Sequence, residues 1–142
     1  MIRVKHIISH RGPAFILDSN MTATEASGFL LEHHIGGAPV VTDGQLVGFC
    51  SERDIVYRVI AEKRDPDATK VSEIMSRNVL SGNPEDSAFD CERVMRERHI
   101  RHMPIVEGGK VAACISLRNL LQSELKEYKL EIDSLTEYIR GS

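Results

Sequence analysis

Histidine pairs, cysteines, and serines followed three residues later by Asp or Asn stand at spacings that chemistry uses in this sequence. His33-His34 and His99-x-x-His102 invite a metal. No carboxylate or thiolate stands at matching spacing, so a metal centre is not expected. Cys50, Cys91 and Cys114 are odd in number, lie in apolar surroundings and form no CxxC, so they are expected as buried reduced thiols rather than a disulfide or zinc framework. Gly48-Phe49-Cys50-Ser51 is not a GxSxG elbow, and no Ser-His-Asp or Cys-His order with a recognisable nucleophile setting occurs. No catalytic residue is therefore assigned. Gly36-Gly37 is too short for a phosphate loop, and GxGxxG and P-loop motifs are absent. Ser51-x-x-Asp54 and Ser116-x-x-Asn119 remain. A serine ahead of a helix is commonly a cap, but the same pairing twice at one spacing favours a binding role. Arg93, Arg96 and Arg98 interleave with Glu92 and Glu97 and read as a solvated helix face, whereas Arg101 lies beyond that helix.

The elements that must position these residues follow from an internal repeat. Ile35 to Val47 aligns without gaps on Ile100 to Ala112, with Pro39 against Pro104, an offset of 65 residues. Near the start the offset slips to 67, with Val4-Lys5-His6-Ile7 against Val71-Ser72-Glu73-Ile74. Within each copy the hydrophobic period changes in one order. Ala14–Leu17 and Val79–Ser81 are short strand candidates. Thr22 and Ser87 offer N-caps for helices that should end near Gly36 and Ile100. Asp43-Gly44 and Gly108-Gly109, between apolar runs, signal hairpins. A second helix opens at Ser51 and at Ser116. Asp65-Pro66-Asp67 marks the seam, with Thr69 a cap for the next helix. The order is β-α-β-β-α, twice.

With 142 residues, 42% hydrophobic and 27% charged, the chain is expected to fold as one globular unit. No apolar stretch suits a membrane span or a secretory leader, so the expectation is a soluble, cytoplasmic protein. A net charge of −3 argues against a surface devoted to nucleic acid.

This order with these residues resembles the CBS domain family up to about Leu121. The resemblance rests on His34-Ile35-x-x-x-Pro39-Val40-Val41 followed by Asp43-Gly44-x-Leu46-Val47-Gly48-x-x-Ser51-x-x-Asp54, and on their second copies His99–Val106 and Gly109-x-Val111-x-x-x-x-Ser116-x-x-Asn119-Leu120. It implies an α/β (α+β) fold: two β-α-β-β-α CBS repeats, residues 1–65 and 66–123, packed about a pseudo-twofold axis, with a C-terminal helical extension at 124–142. It also implies two clefts that take AMP, ADP, ATP or a related adenosine compound as a regulatory ligand rather than a catalytic cofactor. Carried over by position, Asp54 accepts from the ribose hydroxyls and Ser51 meets a phosphate at its helix start, with Gly37, Ala38, Pro39 and Arg53 beside them. In the second copy Asn119 replaces the carboxylate and Ser116 opens the helix. There Met103 and Pro104 line the site, and Arg101, His102 and Arg118 form a richer set of phosphate-compatible donors. Either cleft remains open as the occupied one. Ala113 departs from the glycine seen as Gly48, so that strand is expected to approach its neighbours less closely.

After the second repeat, Leu121, Leu125, Tyr128, Ile132, Leu135 and Ile139 follow at steps of 4 and 3, a heptad stripe with charged flanks. It packs back on its own chain, or it serves a homodimer or a protein partner. The resemblance favours the homodimer, since tandem pairs commonly dimerise through their helices. The leading function is a ligand-sensing module. Two alternatives stand beside it: a scaffold whose clefts hold no nucleotide, and a nucleotide-processing enzyme.

Overall fold

The computed structural model of the chain describes residues 2–9 and 14–141. Its elements are α1 (Val4–Ile8), β1 (Leu17–Asp18), α2 (Ala23–His33), β2 (Gly37–Thr42), β3 (Gln45–Ser51) and α3 (Glu52–Ile55), which runs on as a π turn over Val56–Ile60. Then come α4 (Val71–Ile74), α5 (Ala88–Glu97), β4 (His102–Glu107), β5 (Lys110–Ser116) and α6 (Leu117–Arg140). The architecture is mixed α and β around one sheet in the order β1-β2-β3-β5-β4.

Local chemistry fixes most boundaries. The Thr22 hydroxyl accepts from the Glu25 N–H (3.1 Å) while the Glu25 carboxylate accepts from the Thr22 N–H (3.3 Å), a reciprocal cap that starts α2. Ser87 caps α5 from one side, its hydroxyl accepting from the Asp90 N–H (3.3 Å). Both helices end on a histidine in the left-handed region, His34 at φ 54° and His99 at φ 55°, so these repeat equivalents act as chain-reversing residues. Among the described residues no cluster of His, Cys, Asp or Glu is arranged to hold a metal. Both hairpin turns place two successive residues at positive φ, Asp43-Gly44 and Gly108-Gly109, as a two-residue hairpin requires.

The registers carry the repeat into three dimensions. Gly37 pairs with Ser51 and His102 with Ser116, each hairpin shifting register at the same place, between Val40 and Val41 and between Ile105 and Val106. The hairpins meet where Gln45 pairs antiparallel with Lys110, its own repeat equivalent. A residue paired with its equivalent lies on the pseudo-twofold axis.

Three expectations need correcting. The first strand is Leu17–Asp18 and not Ala14–Leu17. Val79–Ser81 is not a strand; the second copy has instead a lone parallel bridge at Gly82, whose N–H donates to the Pro104 carbonyl and whose own carbonyl accepts from the Val106 N–H. Its counterpart is Leu17, fully buried in β1. Gly82 has no side chain to bury, and a Cβ there would stand 3.0 Å from both Met103 Sδ and Ile105 Cδ1, which fill the space. Thr69 does not cap α4. It is buried and its hydroxyl donates to the Asp65 carbonyl (2.7 Å), so the helix opens one residue later, where the Glu73 carboxylate accepts from the Lys70 N–H (2.7 Å).

The core has two hydrophobic clusters, and each borrows a helix from the other copy. Val71, Ile74 and Met75 pack with Leu17, Leu30, Val40 and Val59 of the first copy. Val4 packs with Met95, Ile105, Ile115 and Leu120 of the second. Backbone bonds repeat the exchange: the Val71 N–H donates to the Met21 carbonyl and the Ala23 N–H to that of Thr69, while the Val4 N–H donates to the Asp86 carbonyl and the Ala88 N–H to that of Ile2. Neither copy is complete alone.

Candidate functional site

A cavity of about 1050 Å³ lies between the start of β2 from the first copy and the start of α6 from the second. Its polar end carries Arg101, His102, Ser116, Arg118 and Asn119. Phe15, Ile35, Pro39, Leu117, Leu121 and Leu125 supply apolar wall. Such a shape, apolar with a few converging polar groups, suits a small organic molecule with a charged end.

Each polar group is positioned by its element. The Ser116 hydroxyl accepts from the Asn119 N–H (3.0 Å), and the Asn119 side-chain oxygen accepts from the Ser116 N–H (3.1 Å). That bond takes one lone pair of the Asn119 oxygen for the cap and leaves its NH₂ group as a donor available to a guest. The Leu117 N–H is taken by the Arg101 carbonyl (2.9 Å), so within the opening turn of α6 the Arg118 N–H is left to meet an anion. Arg101 and Arg118 are both exposed at this end, where they add two positive charges.

His102 lies between the copies. Its ring stacks on Phe49 at 5.8 Å and 23°, and Phe49 in turn covers Gly37, where a Cβ would come within 2.7 Å of the ring. A glycine is needed there for the Phe49 ring to lie across its own hairpin, where it meets His102. Burial, and then the adjacent Arg101 charge, hold the His102 pKa below its usual value, so the imidazole is a neutral partner at neutral pH.

Of the residues singled out from the sequence, Gly37, Pro39, Arg101, His102, Ser116, Arg118 and Asn119 meet in this cleft. Ala38 and Met103 turn their side chains into the two hydrophobic clusters, and Pro104 is fully buried within the β4–β5 hairpin. Ser51, Arg53 and Asp54 lie at the start of α3, outside the cavity wall. There Asp54 Oδ2 accepts from the Ser51 N–H (2.9 Å) and hydroxyl (3.1 Å), and Oδ1 faces Arg58 Nε at 3.9 Å. Arg53 rests over the Tyr57 ring.

The two sides differ for a reason visible in β3 and β5. Gly48 lets Met75 and Ser76 lie directly on β3, with Phe49 and Ser76 exchanging backbone bonds of 2.9 Å; a Cβ at Gly48 would meet Met75 Sδ at 2.5 Å and the Ser76 carbonyl oxygen at 2.8 Å. Its equivalent Ala113 has no such segment laid on it; it is buried in the second cluster and contributes to the cleft wall.

Sequence reasoning missed Phe15, His34, Ile35, Cys114 and Gln122 as lining residues. Phe15 is exposed, stacked on His33 at 4.1 Å with Phe29 edge-on. Its signal was an aromatic residue just ahead of a strand in a chain with few aromatics. Burial pushes the Cys50 thiol up to about 12, with Asp54 adding to the effect, and the Cys91 thiol up to about 11, with Asp86 and Asp90 adding. Both are inert as nucleophiles.

A two-copy sheet, exchanged helices and a cleft between the copies define a tandem pair of interleaved α/β domains. The model of the CBS domain matches residues 4–61 and again 71–126, and the chain belongs to the CBS domain family as two domains in tandem. It is 37% identical over 106 residues to the CBS domain-containing protein YhcV of Bacillus subtilis, covering 75% of each chain. It is 26% identical to the mitochondrial CBS domain-containing protein CBSX3 of Arabidopsis thaliana, spanning 61% of that protein. Among solved structures it matches a signal-transduction protein with CBS domains from Burkholderia ambifaria with a TM-score of 0.80 and 29% identity, over 88% of this chain and 95% of that one. The CBS domain pair of protein MJ0100, solved in complex with 5′-methylthioadenosine and S-adenosyl-L-methionine, matches with a TM-score of 0.76 and 26% identity, over 91% of this chain and 98% of that one. CBS pairs are regulatory modules, and some bind adenosine compounds. No helix among the described residues is long and apolar enough to cross a membrane.

Proposed function

We propose that this CBS pair senses an adenine nucleotide, AMP, ADP or ATP, in the cleft at the start of α6. The observation that carries the reading is the cavity of about 1050 Å³, walled by both copies and bearing two arginines at one end. Arg101, Arg118 and the Arg118 N–H hold phosphate; the Asn119 NH₂ group donates to a ribose oxygen; the apolar wall takes the base. Ser51, Arg53 and Asp54 belong to the second, pseudo-equivalent site, where the cap uses Asp54 Oδ2 and leaves Oδ1 to accept from a ribose diol. Leu121 and Leu125 line the cleft and also open the exposed stripe of α6, so occupancy is coupled to association. No catalytic step is assigned, because the cleft offers no activated nucleophile.

A thermal-shift screen with AMP, ADP, ATP, NADH and S-adenosylmethionine tests the reading. A ligand bound only by the folded chain stabilises it by mass action, about 2.7 kcal/mol at a hundred times its Kd. At least one adenine nucleotide is expected to raise the midpoint. Indifference to all five favours the scaffold reading instead, and turnover of any of them favours the enzyme.

A further inference from the structure

The cleft does not account for the exposed face of α6. From Leu120, the last buried residue of the helix, α6 runs on to Arg140 with large apolar side chains open to solvent: Leu125 is 67% exposed, Ile132 61%, Leu135 63% and Ile139 70%. A contiguous apolar seam on a helix otherwise surrounded by water calls for a cover.

We propose that α6 pairs in parallel with α6 of a second copy of this chain as a two-stranded coiled coil from Leu121 to Ile139. Spacing puts Leu125, Ile132 and Ile139 at the heptad a positions and Leu121, Tyr128 and Leu135 at d. β-Branched residues at a with leucine at d favour two parallel strands, and this seam has isoleucine at two of three a positions and leucine at two of three d positions. Charge fixes the direction. Glu124 and Glu131 fall at g and Lys129 at e. In a parallel pair each Glu124 faces the partner's Lys129, twice per dimer; in an antiparallel pair the g positions face each other and glutamates oppose glutamates. In the single chain Glu124 accepts only an exposed 3.3 Å bond from the Tyr128 hydroxyl, which exchange for an ammonium readily replaces.

Sedimentation equilibrium on the full chain, with Glu124→Lys, Lys129→Glu and the two combined, tests this. Glu124 and Lys129 are five residues apart and are not neighbours on one helix, so rescue by the double reversal reports only a pairing between helices. The full chain is expected to be a dimer, each single reversal to weaken it about fivefold, and the double variant to recover the original constant. A Leu135→Cys chain, whose d positions face each other only in parallel, is expected to form a covalent dimer on mild oxidation. A monomeric full chain, a dimer indifferent to the single reversals, a double variant that stays weak, or no cross-link at Leu135→Cys overturns the proposal.

Discussion

Asp54 and Asn119 have the same backbone role and different chemistry. Each closes a reciprocal cap with its serine, but Asp54 also stands near Arg58, whose guanidinium donates to the Ile74 and Met75 carbonyls and so ties α3 to the borrowed helix α4. Asp54→Ala is therefore expected to lower unfolding free energy by about 1 kcal/mol through the cap, whereas Asp54→Asn, which copies Asn119, keeps most of it. Urea melts of the two variants decide this; equal stability of wild type and Asp54→Ala would remove the cap from the account. His102 supplies a pH signature. Its pKa is lowered in the fold, so the unfolded chain binds the proton more readily, and the stability contributed by the neutral ring is lost as pH falls below about 6.5. The melting midpoint of His102→Gln is expected to fall less steeply between neutral and mildly acid pH than that of wild type; parallel curves would contradict it.

At the scale of elements, what the sequence made legible was local. Thr22, Ser87, Ser51 and Ser116 all cap as their types predict, and both hairpins turn at the Asp-Gly and Gly-Gly pairs. The exchange of α1 and α4 was not legible, because it depends on which cluster Val4 and Val71 enter and not on their own period. Asymmetry between the copies hinged on single residues: Gly82 in place of Leu17 removed a strand, and Ala113 in place of Gly48 left a cleft wall. Gly48→Ala tests the last point. Its Cβ would collide with Met75 and the Ser76 backbone, so a loss of about 1–3 kcal/mol is expected by thermal unfolding. Wild-type stability would mean that Met75–Ser76 is not held on β3.

At the scale of the whole molecule, two copies complete each other's cores and together wall a large cavity with a cationic end. Of the cleft, the polar half was readable from repeat equivalence, since Ser116, Arg118 and Asn119 answer Ser51, Arg53 and Asp54. The apolar half was not, because Phe15 and Leu125 come from segments that meet only in the fold. Calorimetric titration of the full chain with AMP, ADP, ATP and adenosine, repeated on Arg101→Ala and Arg118→Ala, tests the central claim most directly. The account predicts saturable binding of at least one nucleotide to the wild-type chain, weakened by either substitution by about 1.5–3 kcal/mol, with a smaller loss for adenosine, which has no phosphate for the arginines to hold. No binding of any adenosine compound, or nucleotide affinity unchanged in both variants, would contradict it.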